Sequence, residues 1–225
     1  MIVLAHRGGR NSFLENTISS FQKAEELGAK YLEADLRLTK DNKIVVIHDR
    51  DLKRIHANNH WVSSLSLKEL KEISASKDKA SEVPELSELL STANVPINLD
   101  IKSWKINSPV LVSEIKKFSS KVLICAWNPV VLKKIRTLDK NIALGIVFAP
   151  FLAPFLSLVL NLLSFLSLSF LTIPLKTASK KNVERCHRKG FQVFVYNVDD
   201  ETTAKRLKDL GIDGIITNNQ ALYNL

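Results

Sequence analysis

Hydrophobic and polar positions follow two different periods along this chain. Residues 2–5 form a short unbroken apolar run that ends at His6-Arg7-Gly8-Gly9-Arg10, the pattern of a buried strand running into a sharp turn. From Ile18 the spacing changes. Ile18, Phe21, Ala24 and Leu27 recur at helical intervals, with Glu15-Asn16-Thr17 ahead of them and Gly28 as a C-terminal stop. Tyr31 to Leu38 then alternates with period two, which puts Glu33 and Asp35 on one face of a strand and Leu32, Ala34 and Leu36 on the other. The tetrad Lys40-Asp41-Asn42-Lys43 can turn, and the β-branched run at 44–47 doubles back to return His48-Asp49 towards those carboxylates.

The alternation continues to the end. Helical patterns at 66–73 and 84–93 precede a strand at 95–101, on which Asp100 and Lys102 again lie two apart. The spacing then predicts a helix at 109–118, strand 122–127, helix 129–138, strand 143–148, strand 170–175, helix 180–189, strand 192–198, helix 201–210, strand 214–217 and a C-terminal helix. With 44–47 counted as a hairpin arm, eight strands remain. Eight strand-helix units in 225 residues fit a closed (β/α)8 TIM barrel occupying 1–225 as a single domain; an open doubly wound sheet is the alternative. The barrel is preferred because His6, Glu33, Asp35, Asp100, Trp127 and Tyr196 all fall at C-terminal strand ends, where barrel active sites are built.

Composition narrows the function classes. At 45% hydrophobic and 24% charged residues the chain is a folded globular protein. A net charge of +9 suits an anionic partner: nucleic acid, a membrane surface or a phosphate-bearing substrate. The lysines are dispersed and form no basic strip studded with aromatics, so no nucleic-acid partner is expected. Cys125 and Cys186 have no metal-site or redox spacing, which suits reduced structural thiols in a cytoplasmic protein. The opening apolar run is too short for a signal-peptide core and is expected to begin the fold.

Two carboxylates projecting into one space repel each other, and a hard divalent cation relieves that repulsion. In order, His6-Arg7-Gly8, Glu15-Asn16-Thr17, Glu33-x-Asp35, His48-Asp49 with Leu52, Asp100-x-Lys102 and GIDGIITNN at 211–219 resemble the ordered signature of the glycerophosphodiester phosphodiesterases, from residue 3 to 219. The resemblance implies a TIM barrel carrying a divalent cation and hydrolysing glycerophosphodiesters to glycerol 3-phosphate and an alcohol. Glu33 and Asp35 match the first two metal ligands of that family, and Asp100 takes the position of the third. His6 and His48 match its general acid/base pair, and Arg7 and Lys102 its phosphate-facing cations. Trp127 and Tyr196 are the expected further substrate contacts.

An all-oxygen ligand set suits Mg²⁺ or Ca²⁺ over zinc, with Mn²⁺ also admitted. The chain departs from the family pattern at three positions: Asp100 stands where glutamate is usual, Tyr196 where tryptophan is common and Asn218 where aspartate is. An aspartate as third ligand resembles the sphingomyelinase D-like phospholipases, so phospholipase D-type action on a lipid or lysolipid is the enzymatic alternative. A non-catalytic barrel that binds a membrane or a partner is the other alternative. His56, His60 and His187 have no comparable setting.

Residues 151–173 carry no charge. Their length alone matches a membrane span of about 20 residues. However, Pro154 interrupts the first turns, and the segment joins two parallel strands while 170–175 is itself needed as a strand. What remains is a helical insertion of about 15 residues after the fifth strand, with Ser157, Asn161, Ser164 and Ser167 as one weakly polar stripe. It is expected to be a lid, a peripheral membrane contact or a homodimer interface over 151–168, with lysophospholipids joining glycerophosphodiesters as substrates.

Overall fold

A computed structural model of the protein describes residues 1–9, 13–76, 78–118, 122–149, 155–162 and 166–225. Its elements run β1 (Ile2–His6), α1 (Ile18–Glu26), β2 (Tyr31–Leu38), β3 (Ile44–Val46), α2 (Lys53–His56), α3 (Leu67–Ser74), α4 (Leu86–Thr92), β4 (Ile97–Ile101) and α5 (Ser108–Ile115). There follow β5 (Val122–Ala126), α6 (Pro129–Leu138), β6 (Ala143–Val147), α7 (Leu156–Leu162), β7 (Phe170–Pro174), α8 (Lys180–Arg188), β8 (Gln192–Tyr196), α9 (Glu201–Asp209) and β9 (Gly214–Thr217). Eight of the strands are parallel and close into a ring in the order β1-β2-β4-β5-β6-β7-β8-β9, with β1 hydrogen-bonded to both β2 and β9. This is a single-domain TIM barrel.

Strand parity sorts the side chains. On β2 the even positions Leu32, Ala34 and Leu36 pack outward into the large apolar layer shared with the helices. Inside the barrel, the half nearer the N-terminal strand ends is filled by residues such as Leu4, Leu123, Phe170 and Phe194. The Phe170 and Phe194 rings stack with centroids 5.0 Å apart. Gly145 makes room for them, since a Cβ there would overlap the Phe170 ring. With the lower barrel plugged by apolar side chains, the polar residues further along the same faces collect at the opposite mouth.

The hairpin arm has a definite place. Pairing of β1 with β2 ends at His6 opposite Glu33. The antiparallel strand β3 takes up β2 from Leu36 to Leu38, and Ile47 N–H donates to the Asp35 carbonyl at 2.9 Å. His48 is thereby returned to the mouth.

Two expectations change. The predicted C-terminal helix is a single 3-10 turn, Gln220–Leu222, capped by Asn219. Of the apolar insertion, 151–154 and 163–165 lie outside the described residues, and the helix described is α7 after β6, the fifth barrel strand. Leu156 and Leu160 are buried in the core, whereas Phe155 and Leu158 are exposed. Ser167 does not continue a polar helical stripe; it lies beyond the helix with a φ of 47°. Among the described residues no helix is long and apolar enough to cross a membrane.

Candidate active site

At the end of β1 the chain turns abruptly. Arg7 adopts a φ of 53° and Gly8 of 78°, and a Cβ on Gly8 would lie 2.8 Å from the Ser20 backbone, so glycine is required there. The turn is held because Arg7 N–H donates to the Glu33 carbonyl at 2.9 Å. Thr17 and Ser20 form a reciprocal cap that starts α1 beneath the turn. Backbone strain of this kind costs about 1–3 kcal/mol and persists where surrounding contacts enforce it.

The mouth holds a cavity of about 180 Å³ lined by His6, Arg7, Glu33, His48, Asp100 and Lys102, with Cys125, Thr172, Tyr196 and Asn197 on the other wall. Glu33, Asp35 and Asp100 are all buried and offer carboxylate oxygens within 4.8 Å of one another. Arg7 Nε lies 2.9 Å and Lys102 Nζ 3.2 Å from Asp35, and Lys102 also donates to Asp100. The Asp35 contact with Lys102 is an ion pair without hydrogen-bond geometry. Asp35 Oδ1 and Asp100 Oδ1 are consequently buried with no hydrogen-bond donor.

The charges follow from that crowding. Burial, reinforced by repulsion from Asp35 and Asp100, pushes the Glu33 carboxyl well above its usual range. Burial also outweighs Lys102 at Asp100 and raises it. Asp35 moves the other way: burial opposes its ionisation, but Lys102 and then Arg7 hold it well below the usual carboxylate range. Three crowded carboxylates, two of them with an oxygen lacking any donor, are a donor set that fits a hard divalent cation.

His6 is held from behind. Asn218 Nδ2 donates to Asp199 at 3.0 Å, which fixes Oδ1 as the end facing His6 Nδ1 at 2.7 Å. Asn197 Nδ2 lies 2.8 Å from the same nitrogen and competes for it in the other tautomer. Because the Asp199 carboxylate polarises the Asn218 amide, the stronger acceptor wins and the proton sits on Nδ1. Nε2, 3.9 Å from Glu33, then carries the lone pair. Burial, and next the Arg7 charge, push His6 down to about 4, so the ring is neutral near pH 7. His48 is more open; its Nδ1 pairs with Asp49 Oδ1 at 2.7 Å.

Arg54, on α2, joins the two halves of this arrangement. It donates to Asp49 Oδ2 at 2.6 Å and grips Glu15 with both terminal nitrogens, at 2.5 and 3.0 Å. Glu15 in turn accepts from Arg7 at 2.9 Å. Asn16 donates to Asp35 at 2.9 Å.

Eight of the nine residues expected from the sequence therefore meet at this mouth: His6, Arg7, Glu33, Asp35, His48, Asp100, Lys102 and Tyr196. Trp127 does not line the cavity; it is exposed at the rim, edge-on against Trp104 with centroids 4.1 Å apart. Sequence reasoning gave no role to Arg54, Asp199, Asn197 or the buried Asn98, which also lines the cavity. Asn98 had a signal in its parity with Asp100 on β4, whereas Asn197 and Asp199 needed the ring closure that sets β8 and β9 beside β1.

Comparison with known proteins agrees with this geometry. The family model for the glycerophosphoryl diester phosphodiesterase family matches residues 6–222. A glycerophosphodiester phosphodiesterase from Caldanaerobacter subterraneus is 31% identical over 100% of this chain and 97% of its own length. A human lysophospholipase D is 30% identical over 96% of this chain and 82% of its own. The crystal structure of the Thermotoga maritima glycerophosphodiester phosphodiesterase superposes with a TM-score of 0.86 at 27% identity, covering 100% of this chain and 97% of that one. An Oleispira antarctica phosphodiesterase solved with its product sn-glycerol-3-phosphate shares the fold with a TM-score of 0.87 at 22% identity, over 100% and 96% of the two chains. A barrel mouth built of clustered carboxylates, two histidines and two cations, together with these matches, shows that the chain is a phosphodiesterase belonging to the glycerophosphoryl diester phosphodiesterase family.

Proposed function

We propose that the protein hydrolyses glycerophosphodiesters to glycerol 3-phosphate and an alcohol, with His6 and His48 exchanging protons with the attacking and leaving oxygens. The convergence of both imidazoles with Arg7 and Lys102 on one cavity carries this reading. Neutral His6, its lone pair turned to the cavity, suits the general base. His48, more open and with its Nδ1 paired to Asp49, takes the acid role. Arg7 and Lys102 face a phosphodiester anion whose charge grows on its equatorial oxygens. Glu33, Asp35 and Asp100 would hold the divalent cation, Mg²⁺, Ca²⁺ or Mn²⁺, which supplies electrophilic stabilisation of that same charge when bound. The Oleispira antarctica enzyme, solved with sn-glycerol-3-phosphate, supports that product here.

The test is release of glycerol 3-phosphate from glycerophosphocholine and glycerophosphoethanolamine by the metal-supplemented protein. H6A and H48A should each lower kcat by about 10²–10⁴. Parental turnover in both variants removes the acid/base assignment.

A second reading extends the substrates to lysophospholipids. It is supported by the exposed Phe155 and Leu158 beyond the mouth end of β6, and by the name of the human relative. Turnover of lysophosphatidylcholine, together with vesicle flotation lost in L158D, would sustain it; a change of mass by light scattering in that variant would point instead to a homodimer.

A further inference from the structure

A larger groove lies beside the catalytic cavity, on the far side of Lys102. Lys102 belongs to both: it lines the 180 Å³ cavity and also a groove of about 580 Å³ formed by Arg37, Arg50, Trp61, Trp104, Lys105 and neighbouring loop residues. Lys102 N–H donates to the Leu36 carbonyl at 3.0 Å, and Ser103 accepts from Leu38 N–H at 3.2 Å, so the segments that carry these residues run together beyond the barrel. Arg37 lies two positions past Asp35 on the same face of β2.

Among the described residues, four cations line the groove and no carboxylate does. Lys102 is spent on Asp100 and Asp35. The other three have no carboxylate within ion-pair distance among the described residues. Arg37 uses only Nε, on the His48 carbonyl at 2.6 Å, and Arg50 lies over the Trp61 ring at 4.7 Å. Nearby acids are already committed: Asp49 to His48 and Arg54, and Asp51 to the Lys53 amide.

We infer that this groove is the subsite for the leaving alcohol and that it selects diesters whose alcohol carries a further anionic group, such as an inositol phosphate, over those with a cationic alcohol such as choline. This rests on the diesterase reading above. The small cavity matches the phosphate and its glycerol, so the other half of a diester must pass Lys102 into the groove. There Arg37, Arg50 and Lys105 attract a second anion and repel a quaternary ammonium, while Trp61 and Trp104 supply flat apolar walls. A cleft of one sign raises the local concentration of its counter-ion.

Three diesters that share the glycerol 3-phosphate half and differ in the alcohol (inositol phosphate, glycerol, choline) provide the test. We expect kcat/KM for the inositol phosphate diester to exceed that for the choline diester by about tenfold or more at low salt, shrinking as salt rises. R50E/K105E should abolish or invert that ratio, costing the inositol phosphate diester more than the glycerol diester, with the milder R50Q/K105Q as a second variant. Equal efficiencies in the parent, or equal losses on all three diesters, overturn the subsite. If none of the three is turned over, the diesterase reading fails separately, and binding decides the subsite. The three tryptophans of the chain, Trp61, Trp104 and Trp127, all lie at this rim. Saturable quenching by inositol phosphate but not choline, lost in R50E/K105E, supports the subsite; no response to inositol phosphate overturns it.

Discussion

The two halves of the catalytic mouth are built from different materials. Among the described residues, β1, β2, β4 and the returning hairpin contribute every charged side chain that lines the cavity, whereas β5 to β9 contribute Cys125, Val147, Thr172, Tyr196, Asn197 and Ile216. The reason is electrostatic. A buried ion costs several kcal/mol unless it is paired, so one buried charge demands another beside it. Asp35 is completely buried and is held by Arg7 and Lys102; Arg7 is held in turn by Glu15, and Glu15 by Arg54. Charge therefore accumulates on one wall, and the facing wall is left to fit the substrate. The halves should fail differently: charged-wall variants lose kcat, and neutral-wall variants shift KM.

The largest loss should come from E33Q. The substitution keeps shape but removes a carboxylate that two acidic neighbours already disfavour. Activity should fall by at least about four orders of magnitude. In chelator, the melting temperature of E33Q should equal or exceed that of the parent, since a repulsive charge has gone. A variant that loses both activity and stability would show that Glu33 is a structural anchor and that the division between the walls is wrong. Next come H48A and H6A, set against T172A opposite them. Kinetics at saturating substrate should show about 10²–10⁴ lost for either histidine and less than about tenfold for T172A.

The charged wall was largely legible in the sequence because strand parity encodes it locally. Glu33 and Asp35 share a face by their spacing alone, and the polar tetrad before the β-branched run is enough to return His48. What escaped has a nonlocal cause. His6 meets Asn218 across 212 positions, a partnership that exists only because β1 closes onto β9. Arg54 lies on a four-residue helix with no periodicity to mark it, and its partners Glu15 and Asp49 sit in different loops. Trp127 sits at a strand end as expected but is turned to Trp104, because the parity that aims Cys125 inward aims its second neighbour only where the strand continues, and β5 ends at Ala126. In place of the C-terminal helix stands one 3-10 turn capped by Asn219, whose burial of Leu222 and Tyr223 is a tertiary contact with no helical period to mark it.

Arg54 gives an intermediate effect that tests the cohesion of the charged wall. It touches neither the cavity nor the carboxylate cluster, so R54A should act through the placement of His48 and Arg7. We expect kcat to fall by about tenfold with KM little changed, as for other supports of catalytic groups. R54K should restore only part of it, because an ammonium cannot span Glu15 with two parallel bonds. Arg54 is 40% exposed, so loss of stability should stay below about 1 kcal/mol by chemical denaturation. A large stability loss with unchanged kcat would reduce Arg54 to a loop fastener.

The smallest effect is expected from the neutral wall. Tyr196 is half-buried, lines the cavity opposite the carboxylates and donates its hydroxyl to the Phe148 carbonyl at 3.2 Å. Y196F keeps the ring and loses that one bond, worth about 1 kcal/mol. Because the hydroxyl is spent on the backbone, proton transfer at His6 and His48 should proceed unaltered, and kcat should stay within about twofold. The freed ring can shift against the glycerol half of the substrate, so KM should rise about two- to fivefold, a change within that bond's energy. Y196A, which opens the wall, should raise KM further while its kcat remains far above that of H48A. A kcat for Y196F as low as that of H48A would place a proton-transfer group on the wall that carries no charge, and the division of labour across the mouth would fall with it.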